Sequence, residues 1–176
     1  AGDAVLGLNP AVDTAKSTAD ILNLFNDVKT RLKIPTQICV LSHITTQIQA
    51  LRQGVPMDLC FQSIAGSEAA LSSFGTDVDM LENANELMAK YSTAEGPNYM
   101  YFETGQGSEL SSSAHNGADQ LVMESRCYGL ARNYSPFLVN TVVGFIGPEY
   151  IYDTKELIRA ALEDNFCGHM HGLPMG

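Results

Sequence analysis

Glu103 closes the run Tyr99-Met100-Tyr101-Phe102-Glu103, in which it is the only charged residue. A carboxylate placed behind an apolar and aromatic strand must be paired or solvated by a ligand, because burying an uncompensated charge is expensive. The chemistry on offer is recognition of something small and polar. The competing use is a salt bridge to Arg126 or Arg132 from the helix that follows. Behind Glu103 runs "TGQGSELSSS", whose glycines let the backbone approach a bulky ligand and whose Ser108, Ser111 and Ser112 offer hydroxyls. Gly105-Gln106-Gly107 opens like a dinucleotide fingerprint, but Leu110 stands where the third glycine belongs, and no acidic residue is suitably placed. "CGHMHG" (167 to 172) groups one thiol and two imidazoles at a spacing that matches no strong zinc pattern and lacks a fourth ligand.

These residues need elements to position them. "AVLGL" (4 to 8), "QICVL" (37 to 41), "MDLCF" (57 to 61), "NYMYFE" (98 to 103) and "FLVNTVVGF" (137 to 145) read as strands. Between them lie helical patterns. Ile21, Leu24, Phe25, Val28 and Leu32 form one stripe, ended by Ile34-Pro35. Others run from about 45 to 53, closed by Gly54, then near 67 to 72 and 77 to 91, parted by Gly75, and from about 118 to 134. A last helix carries Leu157, Ile158, Ala161 and Leu162, with Asp153 and Glu156 as cap and N3 partner and Gly168 as its stop. "GLPMG" approaches a further strand. The count is five βα units and the start of a sixth, an α/β chain that is either an open doubly wound sheet or part of a (β/α)8 barrel. No linker divides it, so residues 1 to 176 are expected to form a single, partial barrel domain.

In parallel α/β folds, ligands meet the carboxyl ends of strands. Those ends are Asn9-Pro10, Ser42-His43, Gln62-Ser63, Glu103-Thr104 and Phe145-Ile146. Each has a plainer use. Asn9-Pro10 starts a turn, Gln62 and Ser63 cap a helix, and His43 is structural. Phe74 and Phe145 pack, or wall a cofactor.

Composition narrows the classes. The chain has 176 residues, 45% hydrophobic and 17% charged, with a formal net charge of -10. No Lys/Arg cluster exists to hold a phosphate backbone, which argues against nucleic acid and anionic membranes. The longest apolar runs fall far short of the roughly 20 residues of a spanning helix, and Asn140 interrupts "FLVNTVVGFI". Residues 1 to 10 lack the basic start and apolar core of a signal peptide. Cys39, Cys60, Cys127 and Cys167 are scattered, as buried cytosolic thiols are.

Taken together, "GLNP", "FQSIAG", "YFETGQGSELSSSAHNGADQ", "VNTVVGFIGPEYIY" and "IRAALEDNFCGHMHGLPMG" resemble the large subunit of ethanolamine ammonia-lyase. The resemblance covers essentially the whole chain and is most specific over 101 to 120 and 139 to 176. It implies part of a (β/α)8 barrel in an adenosylcobalamin-dependent lyase that converts ethanolamine to acetaldehyde and ammonia by radical chemistry. It also implies a hetero-oligomer with a small subunit, in the cytoplasm, within a bacterial microcompartment. Position by position, Glu103 is similar to the family's catalytic substrate carboxylate, suited to the amino group through a charge-assisted hydrogen bond. Asn9 matches a substrate-binding amide, and Phe145 an aromatic wall of the substrate pocket. Pro10, Gln62 and Ser111 match cobalamin contacts, and no metal ligand is implied. The family's large subunit is much longer, and its substrate-contacting arginine, glutamine and aspartate match positions outside this stretch. The competing expectation is therefore a non-catalytic piece, structural or partner-binding only.

Overall fold

The computed structural model describes residues 5–94, 99–104, 120–134, 136–141, 145–146, 149–150 and 154–175. In chain order these form β1 (Val5–Leu8), α1 (Ala15–Leu32), β2 (Gln37–Val40), α2 (Ile44–Arg52), β3 (Leu59–Ile64), α3 (Glu68–Ser73) and α4 (Val78–Tyr91). Then come β4 (Met100–Thr104), α5 (Gln120–Ala131) with a 3-10 turn (Arg132–Tyr134), β5 (Leu138–Thr141), β6 (Phe145–Ile146), β7 (Glu149–Tyr150) and α6 (Thr154–Met170). Strands β1 to β5 are ordered in the sheet as in the chain, and β1–β2 and β2–β3 pair parallel. This is the repeated βα arrangement expected, with the strand order that a segment of a (β/α)8 barrel has. The chain divides into two compact units, Ala1–Gln62 with Asn83–Tyr101, and Ser63–Glu82 with Phe102–Gly176.

In the first unit, Thr14 caps α1 by accepting from the Ser17 N–H at 3.2 Å, and Lys33 ends it in the left-handed region at φ 56°. The buried face differs from the stripe read in the sequence. Thr18, Ala19 and Leu22 are buried, whereas Leu24 is 67% and Leu32 61% exposed. Leu22 is fully buried beside these small side chains, while Ile21, Phe25 and Val28 of the stripe are half-buried. Two buried polar side chains organise this unit. Asp58, just before β3, accepts from Lys29 Nζ at 3.0 Å, the Ile38 N–H at 3.4 Å and Thr93 Oγ1 at 2.8 Å. Gln47 of α2 accepts from the Phe61 N–H at 3.0 Å and donates through Nε2 to the carbonyls of Phe61 at 2.6 Å and Ser42 at 2.7 Å. Its amide thus serves Phe61 as a neighbouring strand would.

In the second unit, the Cys127 thiol donates to the Ile64 carbonyl at 3.4 Å, holding α5 to the end of β3. Gly66 permits that approach: a Cβ there would meet the backbone of Met123, its Cα at 2.8 Å. Gly66→Ala is therefore expected to destabilise the protein by about 1–3 kcal/mol in a denaturant melt, as overpacking against immovable atoms does. Gly168→Ala is the comparison, since the atoms nearest its Cβ belong to the Met175 side chain, which can turn aside where backbone cannot, so it should cost less.

Two boundaries depart from expectation. The fifth strand ends at Thr141, and Phe145 lies instead in the antiparallel β6–β7 ribbon, paired with Tyr150. Helix α6 runs through Gly168 to Met170, and the turn is made by Gly172 at φ +76°. Its large side chains Ile158 and Leu162 are 54% and 66% exposed rather than buried. Asp153, expected as its cap, is outside the described residues. Met175 bridges Val139 in parallel, and the Val139 N–H donates to the Pro174 carbonyl at 2.9 Å, which puts "GLPMG" beside β5 as the approach to a strand.

Candidate functional site

Alternation along β4 decides where Glu103 points. Phe102 is fully buried and its ring lies 6.2 Å, at 58°, from that of Tyr134 on the turn after α5. Phe102 and Thr104 therefore face the helical layer, and Glu103 between them faces away from it. The carboxylate is half-buried, and burial pushes its pKa up. Among the described residues Glu103 has no ion pair, with Arg126 and Arg132 included. The salt-bridge alternative is thus not realised. A half-buried carboxylate without a cation is chemically suited to accept hydrogen bonds from a protonated amine.

One residue on, the hydroxyl of Thr104 donates to the carbonyl of Asn140 in β5 at 3.3 Å. Sequence reasoning takes Asn140 only as a break in an apolar run. The signal available was its position in the next predicted strand.

The other strand ends have mixed roles. Asn9 is exposed and Pro10 half-buried, directly after β1. Ser42 and His43 are structural. Ser42 Oγ accepts from buried Thr18 at 3.1 Å, and His43 caps α2 through Nδ1, which accepts from the Thr45 N–H at 3.3 Å. Asp13 fixes the same corner, accepting from the His43 N–H at 2.9 Å and Thr46 Oγ1 at 2.8 Å.

Gln62 lies inside β3 rather than at its tip, since the strand continues to Ile64, and it is 1% exposed. The cap of the next helix is Ser67, which accepts from the Ala70 N–H at 3.2 Å, so Gln62 and Ser63 do not cap it. Phe74 takes the C-cap of α3. Ser111, with the rest of 105–119, is outside the described residues. Phe145 is placed by its backbone only, in β6.

The "CGHMHG" segment ties α6 to α5. Ser125 Oγ stands 3.1 Å from His171 Nε2, and the His171 ring lies 5.9 Å from that of Tyr128. Burial raises the Cys167 pKa, opposed by a hydrogen bond with Ser125 and reinforced by the charges of Asp164 and Glu124, so this thiol is not an activated nucleophile. A groove of about 390 Å3 lined by Ala65, Leu71, Val78, Arg126 and Leu130 also lies in the second unit, but Glu103 does not line it. Strand-end position and the unpaired carboxylate locate the candidate site better than that groove does.

The family described as "Ethanolamine ammonia lyase large subunit (EutB)" matches residues 1–176. The ethanolamine ammonia-lyase large subunit of Salmonella typhimurium (strain LT2) is 54% identical over 176 residues, 100% of this chain and 39% of that protein. That of Escherichia coli (strain K12) is 53% identical over 175 residues, 99% of this chain and 39% of its own length. The chain thus spans 39% of the length of the curated relatives it matches.

Proposed function

The chain belongs to the ethanolamine ammonia-lyase large-subunit family, and from that premise we propose that it forms part of the barrel and active site of an adenosylcobalamin-dependent lyase. The substrate is ethanolamine, and the products are acetaldehyde and ammonia. The observation that carries this reading is the half-buried Glu103 carboxylate, unpaired among the described residues, at the carboxyl end of a sheet strand and facing away from the helices.

Glu103 holds the substrate ammonium by a charge-assisted hydrogen bond, which orients the carbon that must lose hydrogen. Asn9, exposed after β1, supplies an amide able to donate to or accept from the substrate. Phe145 walls the pocket.

Adenosylcobalamin, when bound, supplies the radical chemistry that no side chain can. Of the residues proposed to hold it, Pro10 is compatible, being apolar and half-buried after β1. Gln62, 1% exposed within β3, does not offer its amide to a ligand in this structure, and Ser111 stands among the proposed contacts by its sequence match, outside the described residues. The proposed setting is a hetero-oligomer with a small subunit, in the cytoplasm within a microcompartment. Among the described residues no helix is long and apolar enough to cross a membrane.

The test is made on the full-length polypeptide containing this segment, combined with its small subunit and adenosylcobalamin. Ethanolamine should then yield acetaldehyde and ammonia in equal amounts. A preparation that binds the cobalamin, as read from its absorbance, yet forms no acetaldehyde would sink the lyase reading.

A further inference from the structure

Strand β4 ends at Thr104, whose residue surface is 0% exposed. Its side chain is on the helix-facing side, opposite to Glu103, yet its hydroxyl reaches sideways to the main-chain carbonyl of Asn140 in β5 at 3.3 Å. A ladder bond would join the strands through backbone alone. Here, beside the pairing that makes β4 and β5 neighbours in the sheet, a side chain adds a tie at the last residue of β4. The β-branched side chain is stiff at χ1, so the tie fixes the Thr104 backbone and not merely its hydroxyl.

Glu103 is the adjacent residue, and its Cα cannot shift far without breaking the tie or dragging β5. We infer that Thr104 is a positioning residue for Glu103, pinning the end of β4 to β5 so that the carboxylate meets the substrate amine at a fixed place. This rests on the proposed role of Glu103 and deepens it. Thr104 touches no substrate; it acts through its neighbour. Displacing a reacting group by about 1 Å can cost on the order of 100-fold, so a shift of a few tenths of an ångström corresponds to roughly tenfold.

The test compares Thr104→Val, which keeps the shape and removes the donor, with Thr104→Ser, which keeps the donor, in the full-length enzyme with its small subunit and adenosylcobalamin. Rates are taken per folded, cobalamin-loaded site. The valine variant should lose about tenfold in kcat/KM for ethanolamine. Its acid limb should move down toward the ordinary carboxylate range, because a released Glu103 regains water. The serine variant should restore both.

A role confined to stability would lower the melting temperature and leave the acid limb in place. Wild-type kcat/KM in the valine variant, or a serine variant as impaired as valine, overturns the inference. Should the valine variant not fold, Thr104→Cys, similar in size and a weaker donor, replaces it with the same two outcomes. Glu103→Gln run alongside separates the two levels. If it retains wild-type kcat/KM, the site reading fails. If it is impaired and Thr104→Val is not, only the positioning role fails.

Discussion

Glu103→Gln in the full-length enzyme is expected to lower kcat/KM for ethanolamine by about a hundredfold, the scale of losing one partner of a desolvated, hydrogen-bonded charge pair. The amide keeps the size and one acceptor oxygen but cannot offset the ammonium charge. The same change should help the unliganded protein. Burial raises the Glu103 pKa, so the folded state favours the protonated form more than the unfolded state does.

The sign follows directly. Below the unfolded-state pKa both states are protonated, and glutamine and glutamate should be equally stable at this site. As pH rises through the raised folded-state pKa, the wild type loses stability and the glutamine variant does not. Melting curves from pH 4 to 8 without substrate should therefore diverge upward in favour of Glu103→Gln, while its activity stays low. Ethanolamine should narrow the gap by stabilising the wild type selectively. A variant with wild-type turnover, or one less stable than wild type at neutral pH, would remove the unpaired carboxylate from the site.

The largest effect on stability belongs to Asp58. Its carboxylate is 2% exposed and gathers a lysine 29 residues before it, a strand amide and a hydroxyl 35 residues after it. Asp58→Ala leaves the Lys29 ammonium, itself only 18% exposed, beside two donors that have lost their acceptor. Removing one partner of a buried pair costs about 3–5 kcal/mol, which corresponds to a fall in melting temperature on the order of 10 °C. Replacing both charges, as in Asp58→Leu with Lys29→Met, should recover much of the loss, because no buried charge is then stranded. Scanning calorimetry distinguishes these cases. A single alanine variant melting within a degree of wild type would show the network to be incidental.

The alternation of strands and helices was legible because apolar period and glycine stops are local properties, and Gly54 and Gly75 do sit at positive φ between elements. What was not legible depends on partners distant in sequence. "FLVNTVVGF" reads as one strand-forming run in spite of Asn140, so only the pairing of Phe145 with Tyr150 reveals that the strand has already ended. The stripe on α1 marked a helix correctly, and its Ile21, Phe25 and Val28 are half-buried, but it left out Thr18 and Ala19, which the fold covers, and took in Leu24 and Leu32, which it leaves open.

Glu103 stood out because a carboxylate behind an aromatic strand is anomalous without any neighbour being known. Asp58 carries the same anomaly in "PMDLCF", but its meaning waits on Lys29 and Thr93. Ser42 at a strand tip looked as available as Asn9, and His43 read as structural without a partner; only the fold shows them bonded to Thr18 and to the start of α2.

Gln47 has a consequence for fidelity of assembly. Its amide matches both main-chain polar groups of one residue, Phe61, and after a one-residue slip the residue in that place directs its N–H and C=O the opposite way. A slip of β3 by a single residue would also exchange its two faces, turning Phe61 and Ser63 inward and the buried Cys60 and Gln62 outward. Gln47 therefore acts as a check on strand register: a misaligned β3 loses both bonds and strands a buried amide, so the error is penalised before any ligand arrives.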